Sequence, residues 1–536
     1  MFKNNLNYKV VILFSLVFVT FLGCKPTEKS PEEIKQELST LLQSKFSGQN
    51  FEFQTVDSVV FDRTINFYNS TNFKPIWVND TSLNRQGSEL FLLLSNSERY
   101  GLWPSFYNVD VINDLKDVSV LDAEVLLTNA LILFTTHLQA GVLEKDTAIH
   151  FNNFKQNIDF NHNDLLRQIA DGKSVSEVVL SVQPKLWEYQ QLQKGLAKFV
   201  SQYKLDTVTV EVPRIKDDSA KCYDAARKAL VAIDFISEET AKDDSLFLEG
   251  LKAFQLANGL KDDAVVGRWT GRMLEKSNND RFLAAAVSLE KWRWKAKDTI
   301  PDRYIWVNLP SYTLKLFDKN ELVRQHRVVV GAYGTQTPEF HSKLKRMVTN
   351  PFWYVPYSIA STEILNGIKK DTTYLQRRGY KIFRDGAEVN SKTVDWTEVG
   401  ETNFRYNVRQ NGGGGNSLGK IKFLFPNKHA VYIHDTPSKS LFMNDIRAYS
   451  HGCVRLHEPY ELAKAILKLD NHKVESDSLV PMINRGAKRI LELNTEIDVY
   501  IEYYTTTGDS LGKITFYPDM YNRDEKYISI FKENLK

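Results

Sequence analysis

Apolar residues recur at helical spacing through roughly the first two hundred residues of the chain. Leucines fall on one helical face in GSELFLLLSN, and DAEVLLTNALILFTTHLQAG begins at Asp122, a residue suited to an N-cap, and ends at Gly141. Another helix is predicted in PKLWEYQQLQKGLAKFV, with Pro184 in its first turn. The pattern predicts a helical region from about residue 30 to residue 200.

The pattern then changes. TVTVEVPRI predicts an extended stretch, and a compact segment follows it from about Arg214 to Ser277. Within this segment, LKAFQLANGLKDDAVVGRWTGRMLE predicts a helix, a turn at Asn258-Gly259 and another helix. We therefore expect a small helical domain here.

The remainder is rich in β-branched and aromatic residues. YIWVNLPSYTLKLFD and ELVRQHRVVVG predict a hairpin across Lys319-Asn320, and NPFWYVPYSIA, IKFLFPN and HAVYIHD predict further strands. The polar segment from about 370 to 415 is too long for an ordinary loop, so we expect an inserted subdomain or lid. Its glycine run, 412 to 415, lacks the Lys-Ser/Thr of a phosphate-binding loop and is expected to be a hinge or flexible loop.

Composition limits the possible function. The chain has 536 residues, 42% hydrophobic and 25% charged, which is too long for a single core. A net charge of +3 lacks the basic excess of nucleic-acid-binding proteins, so we expect no nucleic-acid partner. The sequence predicts a multidomain α+β protein: a helical N-terminal scaffold, a small helical domain and a mainly-β domain with an inserted lid.

The first residues predict export. Lys3 and Lys9 precede an apolar run, Val10 to Leu22, that is shorter than the roughly 20 residues of a membrane-spanning helix. Gly23-Cys24 and the polar KPTEKSPEE that follows resemble a bacterial lipoprotein signal. The resemblance implies cleavage after residue 23 and lipidation of Cys24; plain secretion and an uncleaved anchor are the alternatives. Each places the protein outside the cytoplasm.

Two further cysteines remain, Cys222 and Cys453, in what look like different domains. A disulfide between them is not expected, and there is no CxxC pair. Cys222, on a predicted helix, is expected to be a small buried apolar residue. Cys453 lies in YSHGCVRLHEP, and a catalytic cysteine needs a partner that removes or stabilises its proton.

Two histidines are candidates for that partner. His434 ends a predicted strand, which would fix the direction of its side chain, whereas His451 lies two residues before the thiol and is expected to line the pocket. Gly452 permits a tight turn, so the N–H groups of His451, Gly452 and Cys453 are a candidate oxyanion hole. A zinc site of His434, His451 and Cys453 is the rival, disfavoured because two ligands one residue apart fit tetrahedral geometry poorly.

His434 followed by SHGCVR (450–455) resembles the signature of L,D-transpeptidases of the YkuD type, and HDTPSKSLFMNDIRAYSHGCVRL, IKFLFPNKHAVY, NPFWYVPYSIA and LEKWRW resemble the large YcbB-like subfamily. The FQ…GL…D..VG..T pattern of the small helical domain resembles a three-helix peptidoglycan-binding domain. The resemblance implies the following division: signal peptide 1–23, lipoprotein linker 24–50, helical scaffold 51–213, peptidoglycan-binding domain 214–277, catalytic domain 278–500 with a lid at about 370–415, and C-terminal extension 501–536 packed on the scaffold or the catalytic domain.

The family resemblance also implies roles for individual residues. Cys453 would attack a stem tetrapeptide and release D-alanine, His434 would carry protons, and a neighbouring amine would then form a 3→3 peptidoglycan cross-link. A backbone carbonyl, rather than the Asp435 carboxylate, would orient His434. Carbapenems would acylate Cys453. From the residues themselves, we expect Ser450, His451, Gly452 and Arg455 to form the oxyanion hole and support the loop. Trp353, Tyr354 and Tyr432 are expected to line the substrate groove, with burial in the core as the alternative for these aromatic residues.

The alternatives are an L,D-carboxypeptidase using the same thiol with water as acceptor, and a non-catalytic peptidoglycan-binding lipoprotein. We expect no cofactor and no metal. The expected partners are peptidoglycan stem peptides, glycan strands and a membrane reached through the N-terminal lipid, and the expected state is a monomer on the periplasmic side of the cell envelope.

Overall fold

The structure, a computed structural model, describes residues 29–46, 58–116, 119–143, 160–295 and 301–534. The predicted signal peptide and Cys24 lie outside these residues. Within them, a helical amino-terminal half is followed by a mainly-β carboxyl-terminal half, which confirms the overall division drawn from the hydrophobic pattern.

The amino-terminal region is built from helices around one apolar core. Tyr68 and Trp77 are fully buried in it. The helix predicted to start near Pro184 instead begins at Trp187, so the proline precedes it. The helices of this amino-terminal region are α1 (Pro31–Phe46), α2 (Ser58–Ser70), α3 (Arg85–Ser95), α4 (Val109–Leu115), α5 (Val120–Ala140), α6 (His162–Ala170), α7 (Val175–Val182) and α8 (Trp187–Gln202).

Helix α5 is the centre of this region. By length and composition it is the one helix among the described residues that is apolar enough to cross a membrane, yet 78% of its most apolar window is buried inside the protein. Such burial is typical of a core helix. Ser119 is its N-cap residue, and Asp122 lies in the first turn. The helix therefore begins three residues earlier than the cap predicted at Asp122.

A second group of helices links the two halves: α9 (Ser219–Ala232), α10 (Glu238–Lys242), α11 (Asp244–Ala257), α12 (Arg268–Leu274) and α13 (Asn278–Arg293). Cys222 is a free thiol, fully buried on α9, as predicted. The turn at Asn258-Gly259 follows α11, and Gly259 has a φ of 63°. TVTVEVPRI is extended but forms no strand, because Val208 and its neighbours run along the surface without a strand beside them.

The strands are β1 (Arg303–Asn308), β2 (Thr313–Asp318), β3 (Glu321–Gly331), β4 (Phe340–Thr349), β5 (Trp353–Tyr354), β6 (Tyr380–Arg384), β7 (Ala387–Val389), β8 (Asn407–Gln410), β9 (Ile421–Leu424), β10 (Ile433–His434), β11 (Ala448–Ser450), β12 (Val454–Leu456), β13 (Arg489–Glu502), β14 (Thr506–Gly508) and β15 (Ile514–Phe516).

Nine of these strands form the main sheet, in the order β11-β3-β12-β10-β9-β4-β13-β1-β2. Strand β2, at one end of this order, also pairs with β3 near the other end, so the pairing joins the two ends of the sheet. That pairing is the predicted hairpin, with Asp318 opposite Glu321 across the Lys319-Asn320 turn. Strand β10 is only two residues long, so most of HAVYIHD is not a regular strand. Its parallel pairing with β12 nevertheless positions the residues considered below.

Strands β5 to β8 form a separate four-stranded sheet, order β5-β8-β6-β7. Together with helices α14 (Tyr357–Ile359), α15 (Leu365–Lys370) and α16 (Tyr374–Arg377), it makes an inserted unit, residues 353–410. This unit has its own apolar core, which includes Ile364, Ile382 and Val408. It therefore begins before residue 370 and is a folded body rather than a polar loop.

The entry and exit of the inserted unit run side by side. The Asn350 N–H donates to the Lys420 carbonyl at 2.8 Å, and the Asn416 side-chain amide donates to the Pro351 carbonyl at 3.1 Å. Gly412 lies so close to Asn350 that a Cβ would approach its carbonyl oxygen to 2.4 Å. Gly412 is thus tightly packed where the chain crosses between the two sheets, whereas a Cβ at Gly413 or Gly415 would meet no atom within 4 Å.

After the inserted unit come α17 (Pro459–Leu469), α18 (Leu479–Asn484) and α19 (Glu525–Asn534). Leu462 and Ile466 of α17 pack into the core of the main sheet. The C-terminal residues pack on the helices: Phe516 of β15 contacts Phe199 of α8 with ring centroids 5.5 Å apart, and Lys532 of α19 pairs with Asp280 of α13 at 3.0 Å.

Candidate active site

Strand pairing brings the thiol and the predicted base onto one face of the main sheet. Strands β10 and β12 run parallel, with Ile433 opposite Val454 and His434 opposite Arg455. One step back in this register, Cys453 lies beside Tyr432, whose carbonyl accepts from the Val454 N–H at 3.0 Å. Because side chains alternate between faces along a strand, Tyr432 and His434 share the face of Cys453. The ring centroids of Tyr432 and His434 are 5.6 Å apart.

His434 is buried, and its hydrogen bond fixes the tautomer. Its Nδ1 lies 2.5 Å from the Asp435 carbonyl oxygen, which can only accept, so Nδ1 carries the proton. Nε2 is therefore the unprotonated nitrogen, which is the form required of a base. Burial, together with the nearby charge of Arg455, lowers the pKa of His434 to about 4.

Two cations flank His434 in the sheet. Lys422 is opposite it on β9, and Arg455 is opposite it on β12. Both charges disfavour the imidazolium and act in the same direction as burial on the His434 pKa. The imidazole is thus neutral at ordinary pH.

Cys453 is half-buried, and burial raises the pKa of its thiol. Hydrogen bonds from the Tyr432 backbone N–H and hydroxyl lower that pKa, as do the charges of Arg455 and Lys422, but they do not outweigh burial. The thiol itself lies 3.8 Å from the Ala430 carbonyl oxygen. A protonated thiol beside a neutral imidazole is therefore the resting state.

The inserted unit also contacts this centre. The side chain of Trp353, on β5, forms a hydrogen bond with the Tyr432 hydroxyl, which in turn bonds the thiol. Burial raises the pKa of Tyr432 far above its ordinary value, so the hydroxyl keeps its proton. Tyr354, the next residue on β5, is 67% exposed and pairs with Arg409 on β8. Trp353 and Tyr432 thus meet at the thiol, whereas Tyr354 faces solvent.

The loop before the thiol is held by side-chain hydrogen bonds. Ser450 Oγ donates to the Cys453 carbonyl at 2.5 Å and accepts from the Gly452 N–H at 3.2 Å. Thr337 Oγ1 donates to the Gly452 carbonyl at 2.9 Å. Gly452 has a φ of 106°, a conformation that side chains disfavour. The Gly452 N–H is therefore engaged within the loop, which differs from its expected place in an oxyanion hole.

His451 has a different environment from His434. Its side chain is 41% exposed, and its Nε2 forms an ion-pair contact with Glu363 of the inserted unit. The expectation that His451 lines the pocket thus becomes more specific, since this residue joins the loop to the inserted unit.

Comparison with known proteins places this site in a family. Residues 302–475 match the model of the L,D-transpeptidase catalytic domain, YkuD, and residues 62–196 match that of a scaffold domain. The chain carries a YkuD-type L,D-transpeptidase catalytic domain. A curated L,D-transpeptidase homologue from Haemophilus influenzae is 33% identical over 230 residues, which is 42% of this chain and 46% of that protein. The chain thus spans about half the length of the curated relative it matches.

Two solved structures, the Ldtfm-avibactam carbamoyl enzyme and an L,D-transpeptidase from Mycobacterium smegmatis, are each 12% identical to this chain. They cover 40% and 38% of this chain and 61% and 58% of their own chains, with TM-scores of 0.19 and 0.18.

The transpeptidase domain contains functional neighbours that the sequence did not indicate. Asp435, as expected, does not orient His434 with its carboxylate, which accepts from the Lys420 N–H and from Lys439 instead. Thr337 and Glu363 support the thiol loop from distant parts of the chain. No local motif marks these two residues, since neither lies near the SHGCVR segment.

A metal centre was the rival to thiol chemistry. In the part of the chain that the structure describes, no group of three or more His, Cys, Asp or Glu side chains could hold a metal ion. His434 Nδ1 and His451 Nε2 are each directed at another partner, a carbonyl and a carboxylate. The donor set thus lacks the convergence that a tetrahedral zinc site needs.

Proposed function

We propose that this protein is an L,D-transpeptidase that forms 3→3 peptidoglycan cross-links through a thioester on Cys453. The observation that carries the proposal is the placement of a protonated thiol, a neutral buried imidazole and the Tyr432 hydroxyl on neighbouring strands of an L,D-transpeptidase domain. Because the resting thiol keeps its proton, attack requires a base at the moment of bond formation. His434, with Nε2 unprotonated, supplies it.

The reaction then has two balanced halves. Cys453 Sγ attacks the carbonyl carbon between the third stem residue and the terminal D-alanine, and the thiol proton passes to His434. The C–N bond breaks, the proton passes to the leaving amine, and D-alanine departs from a thioester. The side-chain amine of a second stem attacks the thioester carbon, so that a C–N bond forms and the C–S bond breaks. His434 takes the excess proton from the amine and returns it to Sγ, which restores the thiol. Each such proton transfer contributes roughly 10²–10⁴-fold to the rate.

The oxyanion of each tetrahedral intermediate needs a donor. The Tyr432 hydroxyl bonds Sγ, so it is within reach of an oxygen on the carbon that Sγ attacks. The hydrogen bond between Trp353 and this hydroxyl would hold it in place. We therefore assign Tyr432 and the Cys453 N–H, rather than the Gly452 N–H, to this role. One such donor is worth about 10²–10³-fold in kcat.

The other regions receive supporting roles in this proposal. Residues 214–277 would bind peptidoglycan and the inserted unit would act as a lid over the donor. Lipidated Cys24 would anchor the protein on the periplasmic side of a membrane, and the protein would act as a monomer on stem peptides and glycan strands. No cofactor is required, since the thiol, the imidazole and the two substrates balance each step.

Two alternatives give different products at the same site. Water attacking the thioester would make the protein an L,D-carboxypeptidase, and an inert thiol would leave a non-catalytic wall-binding lipoprotein. Purified protein should be incubated with disaccharide tetrapeptides and the products identified by mass. A 3→3 dimer with free D-alanine supports the proposal, while tripeptide alone supports the carboxypeptidase.

A matched pair of cysteine variants tests whether Cys453 is the nucleophile. Cys453→Ala should abolish dimer formation, a loss of at least about 10⁴-fold, because no nucleophile remains. Cys222→Ala, which removes the buried thiol of α9, should leave it unchanged. Dimer formed by the Cys453→Ala protein would overturn the thioester mechanism.

A further inference from the structure

Besides Arg455, three cations of the described residues near the active site have no carboxylate partner. Among the described residues, Lys422 on β9, Lys488 before β13 and Arg409 on β8 form no ion pair within 4.0 Å. Other cations on or beside the main sheet are paired, as in Arg303 with Asp318, Lys345 with Glu496 and Arg346 with Glu492. Cations without an ion pair also occur elsewhere on the described sheet, as at Lys315 and Lys343, so the cluster near the thiol is distinguished by its position and surroundings and not by the absence of ion pairs alone.

Aromatic rings hold these cations at the seam between the two sheets. Lys488 Nζ and Arg409 Cζ each lie 5.1 Å from the centroid of the Phe352 ring, one cation from the main body and one from the inserted unit. Lys422 Nζ lies 5.4 Å from the centroid of Tyr432, the residue that bonds the thiol. The three charges are therefore arranged along the line from the thiol to the inserted sheet.

Their arrangement is electrostatically unfavourable without an anion. Burial lowers the pKa of Lys422, and the charge of Lys488 lowers it further. Arg409 Nε is buried and has no hydrogen-bond partner. Lys422 and Arg409 are half-buried, whereas Lys488 is exposed. Contact with aromatic faces offsets a part of the cost, but a half-buried charge beside a like charge and a buried donor without a partner are normally satisfied by a ligand or counter-ion.

We propose that Lys422, Lys488 and Arg409 form a carboxylate-binding site that recognises free carboxylates of the donor stem peptide. This inference rests on the proposed function, because it takes its ligand from that reaction. Lys422, beside Tyr432, is placed for the terminal carboxylate next to the scissile bond. Lys488 and Arg409, farther along the seam, are placed for a carboxylate on an earlier stem residue, for which a guanidinium offers paired donors.

The site has two consequences. It distinguishes donors with free carboxylates from donors in which those groups are amidated, since an amide carries no charge to balance the cations. It also draws the inserted unit towards the main sheet, because Arg409 belongs to one body and Lys422 and Lys488 to the other. Donor charge and closure of the seam are thereby coupled.

The test compares one tetrapeptide donor as free acid with the same donor amidated at its side-chain carboxylate. For the wild-type protein, kcat/KM should favour the free acid by about 10–100-fold, the value of a hydrogen bond to a charged group. In Lys488→Gln and in Arg409→Gln, this ratio of kcat/KM values should fall to near one, and the loss should appear in KM. In Lys319→Gln, which removes a cation from the distant β2–β3 turn, the ratio should stay at the wild-type value.

Because the kcat/KM values for both donors are measured on one protein preparation, their ratio does not depend on the fraction of misfolded protein. A wild-type ratio within twofold of one, or a ratio that the two seam variants leave unchanged, would overturn the inference while leaving the transpeptidase proposal intact. If neither donor is turned over, the proposed function fails instead. Calorimetric binding of both donors to Cys453→Ser then decides the carboxylate site, with tighter binding of the free acid as the supporting result and equal binding as the contrary one.

Discussion

The main sheet and the inserted unit contribute to the active site in different ways. The main sheet carries Cys453, Tyr432 and His434 on adjoining strands whose register fixes their separation. The inserted unit, which has a separate core, reaches the same centre through side-chain tips, those of Trp353 and Glu363. The reacting groups are thus part of a rigid sheet, while the surrounding contacts can change without unfolding either core.

The two histidines near the thiol show the same contrast. His434 is 4% exposed, bonded to a carbonyl and flanked by two cations, whereas the His451 side chain is 41% exposed and pairs with a carboxylate of the inserted unit. The first environment maintains a neutral base, and the second stabilises a contact between the two bodies. Replacing groups on each side should therefore give effects of different size and kind.

The largest expected effect is that of His434→Gln. Loss of the base should slow carbapenem acylation of Cys453, followed by intact mass, by about 10²–10⁴-fold. In the wild-type protein, the rate should fall as the pH drops through the His434 pKa of about 4, because the protonated imidazole cannot accept the thiol proton. His434→Gln should lack this inflection. An equal loss in His451→Gln would show that the base is misassigned.

Stability provides an independent measure of His434. Its pKa in the folded protein is below the ordinary value of 6.5, so the unfolded chain binds the proton more readily. The stabilising contribution is complete above about pH 6.5 and is lost as the pH falls towards 4. The free energy of unfolding of the wild-type protein, measured by chemical denaturation, should therefore decrease more over this range than that of His434→Gln. Parallel curves would contradict the buried neutral imidazole.

Tyr432→Phe should have an intermediate effect. Removing the hydroxyl removes both an oxyanion donor and a hydrogen bond that favours the thiolate, so the pKa of Cys453 should rise and acylation should slow by about 10²–10³-fold. The pH midpoint for alkylation of Cys453 by iodoacetamide should move to higher pH. Tyr304→Phe, which alters a buried tyrosine on β1, should leave this midpoint in place. An unshifted midpoint in Tyr432→Phe would remove Tyr432 from the site.

Glu363→Gln should have the smallest effect. An exposed ion pair contributes about 0–1 kcal/mol, so acylation should change by less than about fivefold. The combined variant with His451→Gln should be no slower than the slower single variant, because both changes break one contact. Additive losses would indicate that His451 acts on the thiol independently of the inserted unit.

Sequence reasoning succeeded where local pattern and local structure agree. The hairpin at Lys319-Asn320 and the burial of Cys222 on a helix followed from turn residues and residue type. It was less accurate where long-range packing decides. Pro184 lies before α8, and the segment after residue 370 belongs to an inserted core that begins earlier, because buried residues such as Ile364 and Val408 pack together across some forty positions.

What the sequence determined by itself is the presence of a thiol, a histidine on a strand and a glycine-containing loop, since these are chemical identities at fixed spacing. Only the tertiary structure decided which groups surround them. The neutral state of His434, the hydrogen bonds of Tyr432, the engagement of the Gly452 N–H and the unpaired cations at the seam depend on strand register and burial, and neither is encoded at neighbouring positions. Electrostatic environment arises when distant segments exclude water together.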